Sequence, residues 1–139
     1  MRLHWSVILG SAALMASLAA MLQPAAIDHV EADNELNRLQ AQLAFEPDSI
    51  EAHYRLGLLL AALDPQEALK HLDAASGAGS AYRAEAQMLA RSIRSAQLAG
   101  DPAFSLVSIG RTLAVMGEWG LAADALERAV VFAPDYAEA

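Results

Sequence analysis

The chain has no cysteine, which excludes disulfides and thiolate chemistry. Aromatic residues are scarce, at 6% of 139 residues, while alanine and leucine lift the hydrophobic share to 55%. That mixture favours helices packed with close axes over sheets, and the length gives room for one domain. Cations are also few: 9 Lys and Arg against 17 Asp and Glu, for a net charge of −8. Nucleic-acid binding needs clustered positive charge, so no nucleic-acid partner is expected. Acidic solubility accounts for the charge, and a basic partner is compatible with it.

Reactive constellations are missing as well. His4, His29, His53 and His71 are scattered, without the spacing of a helical metal-binding pair. Asp28, His29 and Glu31 read as a solvated helix start rather than a metal site. No G-x-S-x-G turn holds a serine nucleophile. Ser76–Ser80 (SGAGS) lacks the Lys-Ser/Thr and the preceding strand of a phosphate cradle. Asp64 and Glu67 are explained by helix capping. No catalytic residue, metal site or cofactor is expected, and the chain does not read as an enzyme.

What is present begins with a long apolar run. Leu3–Leu22 (LHWSVILGSAALMASLAAML) is about the length that crosses a bilayer. Arg2 precedes it and Asp28, Glu31, Asp33 and Glu35 follow. The positive-inside rule then leaves the N-terminus in the cytoplasm and the remainder outside. Residues 1–26 are expected to be a single-pass anchor in the cytoplasmic membrane. The alternative is a cleaved signal sequence with a secreted or periplasmic product; Ser17-Leu18-Ala19 and Pro24-Ala25-Ala26 are the possible cleavage sites.

Residues 28–139 form the helical domain. Asp28–Phe45 carries the stripe Ala32, Leu36, Leu39 and Leu43, and Pro47 ends it. A helix pair follows at about 48–75, with Asp48 as its first cap. Asp64-Pro65 starts the second helix of that pair. Tyr82–Leu98 is a single extra helix, with Met88, Leu89, Ile93 and Ala96 inward and Arg83, Arg91 and Arg94 outward. A second pair spans about 103–134. There Leu106, Ile109, Gly110 and Leu113 line the first helix, Gly117 breaks the run, and Ala122, Leu126 and Ala129 line the second before Pro134. Tyr54, Trp119 and Phe132 fall at helical spacings and read as core.

The second pair resembles the tetratricopeptide repeat, W-x2-L-G-x2-Y…A-x3-F…P over about 34 residues. Its small residues and closing proline fall in register, with Leu106, Leu113 and Leu126 at the aromatic places. In the first pair His53, Leu56, Gly57, Leu60, Ala68, Leu72 and Ala75 match, with one residue missing in the turn. The resemblance implies an α-solenoid of antiparallel helix pairs, a non-catalytic interaction module that binds protein along its first helices. By register that groove comprises Glu51, Tyr54, Arg55, Leu58 and Ala61, with Phe104, Val107, Ser108, Arg111, Ala114 and Val115. A partner segment carrying an acidic group is expected there. Leu121, Val130 and Phe132 form an open end, to be covered by further repeats, a second copy or a partner. A structural subunit or an assembly factor of a membrane complex, resembling the tetratricopeptide subunits of cytochrome c maturation, is the alternative role.

Overall fold

A computed structural model describes residues 29–135. The membrane-spanning helix expected over residues 3–22 lies outside them. The described residues form six α-helices and no strand: α1 (His29–Phe45), α2 (Ile50–Leu60), α3 (Pro65–Ala75), α4 (Arg83–Ala99), α5 (Pro102–Val115) and α6 (Trp119–Phe132). The described chain is thus all-α, and none of these helices is long and apolar enough to cross a membrane.

Local chemistry sets the boundaries. Ser49, not Asp48, caps α2. It directly precedes the first helical residue, and its Oγ accepts the Ala52 amide at 3.4 Å. Asp64 caps α3 by accepting the Glu67 amide at 3.0 Å, with Pro65 at the first helical position. Asp101 accepts the Ala103 and Phe104 amides at 2.9 and 3.2 Å and starts α5 in the same way. The α5–α6 turn needs Gly117, whose φ of +84° is left-handed. That geometry lets the Glu118 amide reach back to the Leu113 carbonyl at 2.9 Å.

Each helix packs chiefly on its neighbours in sequence. Cross-helix contacts show that successive helices alternate in direction. Arg55 approaches Glu35 and Ser49 meets Gln42 between α1 and α2. Arg94 meets Asp73 and Arg83 meets the Ser76 carbonyl between α3 and α4. Ser105 meets Ala96 while Thr112 meets Ser92 between α4 and α5. At each of these three junctions, of the two contacts the one farther along the first helix is the one nearer the start of the next, which is antiparallel order.

The core between the helices is apolar. Leu39, Leu56, Leu72, Leu89, Ile93, Ile109 and Leu113 are fully buried, and no polar residue is buried among those described. Each such side chain contributes about 1.5–3 kcal/mol by leaving water. Met88, expected inward on α4, is 40% exposed, because the buried face of that helix is Ala86, Leu89, Ala90, Ile93 and Ala96. The two helix pairs share one device. A Cβ on Gly57 would lie 2.5 Å from Leu72 Cδ2, and one on Gly110 would lie 3.0 Å from Leu126 Cγ. Glycine therefore sets the close crossing of α2 on α3 and of α5 on α6.

One consequence of α4 governs the surface. A single helix, not a pair, separates α2–α3 from α5–α6. With directions alternating, α5 runs opposite to α2, whereas regular stacking would set the two first helices parallel. The α4–α5 seam is made by small hydroxyl residues. Ser92 Oγ donates to the Ser108 carbonyl (3.3 Å) and accepts from Thr112 Oγ1 (2.8 Å).

Candidate functional site

The residues expected to line one groove separate in the structure. On α2, Tyr54, Leu58 and Ala61 are buried, while Glu51 and Arg55 are exposed. On α5, Val107 is buried with Leu106 and Ala129 against Ala62 and Leu126. Ser108 is half-buried beside α4, and Ala114 packs on the main core. Phe104, Arg111 and Val115 are exposed. The reversed direction of α5 explains why the two faces do not form one continuous strip.

A different groove is present. A depression of about 180 Å³ is lined by Glu35 of α1, Arg55, Leu58 and Leu59 of α2, Glu118 at the start of α6, and Leu121. A smaller one of about 70 Å³ is lined by Ala32, Asp33, Leu36, Leu59, Leu63, Leu121, Asp124 and Arg128. Both include Leu59 and Leu121, so they form one groove between the α1–α2 hairpin and α6, whose side of it runs from Glu118 to Arg128. Of the residues expected by register, Arg55 and Leu58 line it. Leu121, expected at the open end, lines its floor and packs on the main core.

Electrostatics along this groove are well defined. Arg38 forks the Glu35 carboxylate, with both nitrogens at 2.8 Å, and this hydrogen bonding holds Glu35 below the usual carboxylate range. Arg55 lies 4.0 Å from the same carboxylate, and Arg128 Nε donates to Asp124 at 2.8 Å. Beneath the groove, burial first, and then the charges of Glu118 and Glu85, push the Tyr54 phenol up to about 12. Tyr54 stacks on Tyr82 with ring centroids 4.5 Å apart, which fixes the start of α4 against α2.

A second cleft, about 290 Å³, has its lining drawn from α3, α4, α5 and α6 and from Ala62. Its lining is largely apolar: Ala62, Pro65, Ile93, Pro102, Leu106, Ile109 and Phe132, with Gln97 and Ser105 as its polar members. Phe132 is 66% exposed at this cleft, and Val130 is 43% exposed. Trp119, read as core from its spacing, is 71% exposed. It occupies the first position of α6. Tyr54 is the one of the three aromatics that is buried.

The acidic groove residues Asp33, Glu118 and Asp124 carried no signal in repeat register, because they come from outside the two first helices. The extra helix at 83–99 was the usable clue. No group of three or more potential metal ligands is present among the described residues. No family model, curated protein or solved structure matches the chain.

Proposed function

We propose that this chain is a non-catalytic protein-interaction module of tetratricopeptide-like helix pairs, held at a membrane through residues 3–22. The supporting observation is the surface of α6. Trp119, Val131 and Phe132 are 71%, 81% and 66% exposed, although the same helix buries Ala122, Ala125 and Ala129 completely or nearly so. Trp119 opens α6 and Val131 and Phe132 close it, so large apolar groups are left uncovered at both ends of the helix, and such groups on a small domain are candidates for contact with a partner.

Site-specific photocrosslinking in native membranes tests the reading. A crosslinking residue at position 119 or 132 is expected to give discrete protein adducts, and one at position 74, on the exposed side of α3, is not. Equal background from all three positions would remove the surface of α6 as a contact site.

A further inference from the structure

We propose that the groove between the α1–α2 hairpin and α6 takes a basic polypeptide segment, in which Lys or Arg flank one or two large apolar side chains. The proposal rests on the reading of the chain as a protein-binding module and names the chemistry of its partner.

Size narrows the occupant first. The two joined depressions, about 180 and 70 Å³, fall short of the roughly 300–1,000 Å³ typical of small-molecule pockets. They suit individual side chains of a peptide. The floor, Leu58, Leu59 and Leu121, asks those side chains to be apolar.

Charge narrows it further. The groove's arginines are already engaged: Arg128 with Asp124, and Arg55 beside a Glu35 that Arg38 also holds. Asp33 and Glu118 remain, one on the α1 wall and one at the start of α6. Neither has a cation within ion-pairing distance among the described residues. Both line the groove, Glu118 beside Leu58, Leu59 and Leu121 and Asp33 beside Leu36 and Leu63. An acidic segment laid on Leu59 and Leu121 meets uncompensated carboxylates on both sides. A basic segment supplies their missing partners, and its apolar side chain covers the floor between them. The expectation of an acidic partner rested on Arg55 and Arg111; in the structure Arg55 lies 4.0 Å from Glu35, and Arg111 does not line this groove.

The test uses the full-length chain in detergent and a phage-displayed random peptide library as probe. Enriched peptides are expected to carry Lys or Arg beside Leu, Ile, Met or Phe. Their affinity should fall about tenfold or more in the Asp33→Lys/Glu118→Lys chain, as charge reversal at a contact does. It should also fall as salt is raised from about 0.01 M to about 1 M, where the screening length shrinks from about 30 to about 3 Å. Both altered positions are at least partly exposed, and circular dichroism checks that the helices persist. A control chain, Asp48→Lys/Glu127→Lys, makes the same change in net charge away from the groove and should bind as wild type. Enrichment of acidic or uncharged peptides overturns the proposal and leaves the interaction module standing. So does indifference to Asp33→Lys/Glu118→Lys, or an equal loss in the control. Failure to enrich any peptide overturns both.

Discussion

His53 of α2 and His71 of α3 face each other ring to ring, with their Nδ1 atoms 2.9 Å apart. The other nitrogen of His53 lies 2.9 Å from the Pro47 carbonyl, which can only accept, so His53 carries its proton on Nε2. When both rings are neutral, His71 Nδ1–H then donates to His53 Nδ1. The pair ties the α1–α2 turn to α3 through a hydrogen bond that two charged rings cannot make.

A pH dependence follows. Burial, and then the neighbouring His53, lower the His71 pKa; Glu67, 3.8 Å from its Nε2, opposes them, and Lys70 adds to the lowering. A histidine with a lowered folded-state pKa stays neutral in the native protein while the unfolded chain still takes up a proton. Its contribution is therefore full above the ordinary imidazole value of about 6.5 and is lost as pH falls through the lowered folded value. Urea unfolding midpoints of the wild type should drop more steeply below about pH 6.5 than those of His71→Gln. Parallel pH profiles for the two chains would remove the pair as the cause.

The helix crossings give a second prediction, in which two known effects oppose each other. Replacing glycine with alanine inside a helix gains up to about 1 kcal/mol from propensity. At Gly57, however, the new Cβ meets Leu72 at 2.5 and 2.6 Å, with the Leu72 amide behind it at 3.4 Å. Overpacking costs typically about 1–3 kcal/mol. Gly57→Ala should therefore lower stability in denaturant melts. Gly110→Ala, with contacts of 3.0–3.2 Å to Leu126 and the Ala122 carbonyl, should cost less, and Gly110→Leu should cost more than Gly110→Ala. A Gly57→Ala chain that melts later than wild type would show that α2 and α3 can separate freely.

These crossings also show how far the sequence could be read. Gly57 with Leu72, and Gly110 with Leu126, follow from small residues facing large ones at helical spacing, a local property. So do the Asp64 and Asp101 caps, each followed by proline. The shared groove depended instead on the direction of α5, which is fixed by how many helices intervene. The helix over 83–99 was legible, but its effect on the far side of the molecule was not. Whether an apolar residue such as Trp119 is covered depends on what packs beyond its own helix, and periodicity does not report that.

A third prediction separates caps from surface ion pairs. Arg94 and Asp73 make a short pair at 2.7 Å, but their side chains are 50% and 55% exposed. Exposed pairs contribute about 0–1 kcal/mol. Asp101 satisfies two amides that have no helical partner, and losing such a cap costs about 1 kcal/mol, with a range of about 0.5–2. Asp101→Ala should therefore destabilise more than Arg94→Ala, and 0.5 M salt should leave the Asp101→Ala effect largely intact. The reverse order in equilibrium unfolding would mean that the α3–α4 pair is better ordered than its exposure implies.

The last prediction weighs Phe132 against Leu72. Leu72 is fully buried between α2 and α3, and a leucine-to-alanine change at such a site costs about 2–5 kcal/mol through lost burial and the cavity left behind. Phe132 is the larger side chain, yet it is 66% exposed. With about a third of its surface withdrawn from water, its share of the usual burial gain is about 0.5–1 kcal/mol. Leu72→Ala should thus lower the unfolding midpoint severely, and Phe132→Ala should barely move it. If Phe132 serves contact with another chain, Phe132→Ala should also diminish the adducts formed from a crosslinker at position 119 while the helical spectrum is unchanged. Comparable destabilisation by the two substitutions would instead make Phe132 a core residue of this domain. In that event its cleft with Pro65 and Ile109 closes in solution, and the contact role falls to Trp119 and Val131.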